Sequence, residues 1–166
     1  MRSSLAIGIG APPELVFELT RDVTRWPAML PHYARVDVEE RHDDGAITAR
    51  MVAVRPVIPF VGLGIPVAWR SRTWAEPGAQ RLRFVHRGGA TDGMDVTWRI
   101  EASGRGCRVS IDHDFRPRSR LWGLLVTRLF VRPIAGRTLS TFKSIAEAVS
   151  ATLARSEIAQ DANPSS

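Results

Sequence analysis

The chain has 166 residues, 44% of them hydrophobic, which favours one domain with a sizeable core. A single cysteine, Cys107, excludes an internal disulfide, and the longest uncharged stretch, Pro56 to Trp69, is too short and too broken by proline and glycine to span a bilayer. The net charge of +6 rests on 22 arginines and one lysine, Lys143; a GC-rich coding bias accounts for arginine chain-wide, but Arg116 to Ala146 stands apart in holding six arginines, Lys143 and no acid.

Residues 4–9 read as a first strand. Pro12 and Pro13 suit the first turn of a helix, and Leu15, Val16 and Leu19 give it one apolar stripe. Thr24 can cap a second short helix that carries Pro27 in its first turn. Trp26, Met29 and Tyr33 are then large groups on a short, broken segment, which suits one wall of a cavity. From Ala34 the period changes to two, with Val36 and Val38 alternating with charged neighbours. His42-Asp43-Asp44-Gly45 signals a hairpin turn. Residues 46–55 follow as a strand with Ile47, Ala49, Met51 and Ala53 on one face. Pro56 to Pro66 is an apolar loop, read as a lid or a docking surface.

Residues 67–75 form the next strand, which Glu76-Pro77-Gly78 ends. Residues 80–87 carry Leu82, Phe84 and His86 on one face, and Gly88-Gly89 breaks that strand. Met94, Val96, Trp98 and Ile100 alternate with polar residues along 94–102. After Gly104-Arg105-Gly106, the last strand spans 107–115 with Val109, Ile111, His113 and Phe115 inward. Leu121 to Val131 is apolar and helical apart from Arg128, and Pro133 is expected to kink or restart the helix. Ile134, Thr138, Phe142, Ile145, Val149 and Leu153 then recur at helical spacing. Seven strands and one long amphipathic helix predict an α+β domain over 1–157, with a disordered tail over 158–166. A curved antiparallel sheet wrapped around that helix leaves a concave interior, and the two short helices can plug one end.

The front segment APPELVFELTRDVTRWPAMLPHYARV, the strand pair DVTWRIEASGRGCRVSIDHDF and the helical TLSTFKSIAEAV together resemble the START/Bet v 1-like (SRPBCC) superfamily, most closely its polyketide cyclase/dehydrase branch. The resemblance covers residues 4–153 and implies the helix-grip fold: a seven-stranded sheet around a long C-terminal helix, with two short helices after the first strand. It also implies a hydrophobic, aromatic or polyketide-like ligand in an internal cavity, with aromatase/cyclase chemistry as one activity and lipid, quinone or pigment carriage as the alternative. Trp26 and Tyr33 match aromatic positions of the cyclase pocket. An inward arginine on the fourth strand often has a catalytic role in such cyclases; the matching position here is Thr73. Its neighbours Arg70 and Arg72 point outward by alternation, unless a one-residue bulge turns Arg72 inward.

Within that frame His113 is the strongest candidate for acid/base chemistry, since it sits on an apolar strand face and titrates near neutrality. His86 and Tyr33 join it as catalytic candidates. The candidate ligand wall is Trp26, Tyr33, Met51, Trp69, Ser71, Thr73, Phe84, Trp98 and Phe142: aromatic faces with a few placed hydroxyls. Asp112 and Asp114 face away from His113 on a strand, and no metal-ligand spacing occurs, so neither metal nor cofactor is expected. The Arg116–Lys143 region, with Trp122 beside Leu124 and Leu125, points to an acidic carrier protein or an anionic membrane surface as partner. Nucleic acid is not an expected partner, because no aromatic-basic motif is present. A monomer or homodimer is expected, and the opening residues lack the apolar run of a signal peptide, which points to the cytoplasm.

Overall fold

Alternation of apolar and polar residues builds seven strands, each presenting one face to a single helical layer. They are β1 (Arg2–Ile9), β2 (Tyr33–Arg41), β3 (Ile47–Pro56), β4 (Gly64–Glu76), β5 (Arg81–Arg87), β6 (Met94–Ser103) and β7 (Gly106–Phe115). The computed structural model describes residues 1–56, 64–117 and 119–161. The strands form one antiparallel sheet in the order β1-β7-β6-β5-β4-β3-β2. The apolar loop expected over Pro56 to Pro66 lies, for residues 57–63, outside the described residues.

Two short helices follow β1, as the front segment predicts: α1 (Pro13–Thr20) and α2 (Trp26–Met29), with a 3-10 turn over Val23–Arg25 between them. Thr24 does not cap. The cap is Asp22, whose Oδ1 accepts from the Thr24 backbone N–H at 3.1 Å and from its hydroxyl at 2.6 Å. The carboxylate precedes the turn and takes both donors, which leaves the threonine inside the turn as a donor.

The C-terminal helical run comprises α3 (Arg120–Val126), a π-helical turn (Thr127–Val131) and α4 (Arg132–Asp161). The break expected at Pro133 takes the form of this π turn. Proline has no N–H for the carbonyl four residues back and its ring crowds it, and the wider turn relieves both. α4 packs against β1, α1 and β3 and buries Ala135, Thr138, Leu139, Phe142 and Ala146. Leu153, expected on the same stripe, is exposed. A helix of 30 residues is about 45 Å long against roughly 33 Å for a ten-residue strand, so its last turns outrun the sheet. α4 continues to Asp161, and residues 162–166 of the expected tail lie outside the described residues. No helix of the described residues is long and apolar enough to cross a membrane.

Strand register decides which side chains reach the interior. β3 and β4 pair without interruption from Ile47 with Thr73 to Pro56 with Gly64. No bulge therefore turns Arg72 inward. Its guanidinium binds Asp44 at 2.5 Å on the outer side, while Trp69, Ser71 and Thr73 are buried. β2 does contain a bulge, between Tyr33 and Arg35. Tyr33 faces Ala53 and Val36 faces Met51, both on the inner face of β3. An unbulged strand would send positions 33 and 36 to opposite faces, so the extra residue is what points Tyr33 into the core.

Candidate functional site

A cavity of about 70 Å³ lies between the inner face of the sheet, α2 and the start of α4. Its floor comes from alternating positions of β3 to β7: Met51, Trp69, Phe84, Trp98, Ile111 and His113. Trp26 and Tyr33 close one end, and Phe130, Val131, Ile134 and Ala135 cover it from the helical side. The aromatic cluster is centred on Trp26. Its ring lies 5.2 Å from Tyr33, 5.5 Å from Trp98, 5.7 Å from Phe142 and 5.8 Å from Phe84, and its Nε1–H donates to the Thr20 carbonyl at 2.9 Å. That bond satisfies the only polar atom of the side chain, so the whole indole can be buried.

Of the proposed site residues, Trp26, Tyr33, Met51, Trp69, Phe84, Trp98, His86 and His113 line the cavity together. Ser71, Thr73 and Phe142 are buried but do not line it. Ser71 turns its hydroxyl to the Arg72 carbonyl at 3.4 Å, Thr73 sits between Ile47 and Phe84 in the sheet, and Phe142 packs behind Trp26 and Trp98.

The two cavity histidines are held differently. His86 is the penultimate residue of β5, and the loop after the strand doubles back. Gly88 and Gly89 adopt positive φ of 72° and 73°, the Asp92 carboxylate accepts from the Gly88 N–H at 2.7 Å, and Thr91 returns its hydroxyl to 2.9 Å from His86 Nδ1. The His86 ring also stacks on Trp69. Burial first, then the neighbouring His113, lowers the His86 pKa to about 3. His113 pairs with Val96 on β6 and Ser3 on β1. Burial lowers its pKa to about 4 against the opposing effects of the Ser3 backbone and Asp112. Both imidazoles are neutral at pH 7, so each offers one hydrogen-bond donor and one lone pair that can accept a proton.

The structure adds a second polar group that sequence reading passed over. His32, next to Tyr33, is buried, with Nε2 2.8 Å from Thr138 Oγ1 on α4. Thr138 donates its own proton to the Ile134 carbonyl at 2.9 Å, so His32 must donate to Thr138 and its Nδ1 is an unprotonated lone pair. That Nδ1 has no partner among the described residues. Burial, aided by Arg137, lowers the His32 pKa to about 4. Tyr33 shares the Thr138 side chain, but its own burial dominates and keeps the phenol protonated well above its ordinary range. Thr91 and Thr138 both line the cavity; helical spacing puts Thr138 on the inward stripe of α4, whereas Thr91 carries no local sequence signal. Their partners lie across a glycine loop and across 106 residues of chain. No acidic or basic aliphatic side chain is among the lining residues. Apolar walls with a few neutral donors and acceptors can hold a flat, mostly apolar molecule and exchange protons with its oxygens.

The sequence profile of the family described as "Polyketide cyclase / dehydrase and lipid transport" matches residues 9–142. A provisionally named polyketide cyclase of Streptomyces cyaneus is 31% identical over 111 residues, 66% of this chain and 68% of that protein. In fold, the chain is similar to the Zhui aromatase/cyclase from Streptomyces sp. R1128, with a TM-score of 0.71 at 17% identity over 89% of this chain and 93% of that one. It is also similar to a START superfamily protein from Mycobacterium smegmatis, with a TM-score of 0.62 at 17% identity over 92% and 98% of the two chains.

Proposed function

The chain belongs to the polyketide cyclase/dehydrase and lipid transport family, and we propose that it binds a flat, ring-containing or polyketide-like molecule in the cavity and promotes its ring closure or dehydration. The observation that carries this reading is the convergence of two neutral histidines, His86 and His113, on an aromatic-lined cavity. In such a reaction one imidazole takes a proton from a carbon beside a carbonyl, and the imidazolium so formed returns that proton to the departing hydroxyl, which leaves as water, while the second, neutral imidazole accepts a hydrogen bond from the substrate. The Tyr33 phenol, kept protonated, donates to the carbonyl oxygen on which charge develops. Trp26, Trp69 and Trp98 stack on the ring plane. At about 70 Å³ the cavity is smaller than a typical ligand site of roughly 300 Å³ or more, so the ligand enters by displacing side chains.

The test is product formation from a short poly-β-ketone thioester analogue, followed by chromatography. His113→Gln and His86→Gln, each folded by circular dichroism, are expected to lose cyclised product while retaining ligand binding. Unchanged product from the double variant sinks the catalytic reading.

One observation favours a second reading, carriage without chemistry. Cyclases of this kind often use an inward arginine on the fourth strand; here Thr73 stands there and Arg72 is bound to Asp44 outside. A carrier would bind the same class of molecule and release it unchanged, as extraction of protein purified from its host would reveal.

A further inference from the structure

The helical passage from Ser119 to Arg132 turns two faces to two environments. Phe130 and Val131 line the cavity, and α3 meets the body through Gly123 and Val126, its buried residues. Gly123 lies so close to Pro117 and Met1 that a Cβ there would collide with both. α3 therefore rests on its glycine and holds its other faces away from the body. On those faces Leu121 is 78% exposed, Leu124 56%, and Trp122 and Leu125 46% each. Arg120, Arg128 and Arg132 are exposed around them, and no acid occurs from 116 to 146. None of the ion pairs among the described residues involves these arginines.

We propose that this passage is a membrane-surface anchor. α3 lies in the plane of an anionic bilayer, with its leucines and Trp122 among the upper acyl chains and Arg120, Arg128 and Arg132 against lipid phosphates. The face has apolar groups to bury, and beside them Met1, Leu5, Leu124, Arg128 and Arg132 line a depression whose two arginines suit a lipid phosphate. A second copy of the chain would set these arginines against their own kind. An acidic carrier protein would match the arginines but leave the leucines against a hydrated, charged surface. An anionic bilayer meets both features. It would also lie within a helical turn or so of the cavity wall, because the π turn joins Arg128 on the outside to Phe130 and Val131 on the inside. The proposal stands apart from what the cavity holds.

Vesicle flotation tests it, with phosphatidylcholine alone and with phosphatidylcholine mixed with phosphatidylglycerol. The variants are Leu121→Gln/Leu125→Gln, Arg128→Gln/Arg132→Gln and Trp122→Phe. None of these positions lines the cavity, so binding of a naphthol probe by each variant reports folding and keeps failure here distinct from failure of the cavity reading. Wild type is expected to float with the anionic vesicles at low salt and not with the neutral ones. The arginine pair variant should bind about thirty-fold more weakly. The leucine pair variant should lose flotation, and the blue shift of tryptophan emission on binding should shrink in Trp122→Phe. No flotation of wild type overturns the proposal, as does undiminished flotation of the leucine pair variant. Without flotation, a doubled mass in light scattering would give the face to a second copy, and capture by an acyl carrier protein would give it to an acidic partner; either result overturns the membrane assignment.

Discussion

Trp69 on β4 and His86 on β5 stack with ring centroids 5.7 Å apart and planes 24° from parallel. The stack fixes the imidazole on one side while Thr91 holds its Nδ1 on another. The Trp69 Nε1–H, in contrast, is buried with no acceptor among the described residues. An unmet buried donor costs about 1–3 kcal/mol, which a ligand oxygen could recover. Trp69→Phe keeps an aromatic face and removes that donor. It is expected to leave thermal stability nearly unchanged and to weaken binding of a naphthol or naphthoquinone more than of naphthalene. Equal losses for all three probes in titration calorimetry would count against an oxygen-binding role for Trp69.

Two buried histidines, His32 and His113, and the half-buried His86 set the acid limit of stability. His32, His86 and His113 have folded pKa values of about 4, 3 and 4, below the ordinary 6.5 of the unfolded chain. Above pH 6.5 neither state binds the protons, and the groups contribute nothing to the pH dependence. As pH falls below 6.5 the unfolded chain takes protons that the folded one refuses, so stability drops towards pH 4, by roughly 1–2 kcal/mol per histidine near pH 5. Thermal melts across this window should show Tm falling with acid. His113→Gln should flatten the slope, and an unchanged slope would exclude His113 as a contributor.

Thr138 serves three groups at once: the Ile134 carbonyl, His32 and Tyr33. Thr138→Val matches the shape and removes the oxygen, which strands the His32 Nε2–H in the interior at a cost of about 1–3 kcal/mol. Thr138→Ser keeps the oxygen and should cost less. Urea unfolding of the two variants makes the comparison, and equal losses would show that the methyl group, not the hydroxyl, is what matters there.

Trp26 holds the end wall through four ring contacts and one hydrogen bond. Trp26→Ala should cost about 3–5 kcal/mol by cavity formation. Trp26→Phe should cost less, yet still leave the Thr20 carbonyl without its donor. Chemical denaturation of both provides the check; an alanine variant as stable as wild type would mean that the wall closes over the gap.

Much of this was legible in the sequence, because a strand with one face in the core writes its orientation into every second residue. His113 between Ile111 and Phe115, or Trp98 between Val96 and Ile100, could be placed that way, and both line the cavity. Tyr33 was placed from its neighbourhood rather than its parity, since only the bulge after it turns it inward. Ser71 and Thr73, expected in the ligand wall, lie on the inward face but away from the cavity, because alternation gives direction and not depth. His32 was invisible: it sits in a turn where no period runs, and the threonine that satisfies it is on α4, 106 residues later. The fragment Pro31-His32-Tyr33, a polar ring between a proline and a buried aromatic, is the one signal that could have raised it. Arg72 shows the opposite case, where a residue type suggested chemistry and an uninterrupted register sent it to the solvent side with Asp44.

The pairing of β1 with β7 constrains how the protein is made. Arg2 to Ile9 can find their sheet partners only in Asp114 to Cys107, about a hundred residues further along. As the chain emerges from the ribosome, the six hairpin-linked strands can assemble in order while β1 waits. Its inward residues and open hydrogen-bonding edge are in the meantime free for other chains to bind. Closing this longest loop is a late, non-local event, so the last step of folding seals the strand against which α4 packs. Chaperone dependence during synthesis should therefore concentrate in the interval before β7 has been translated.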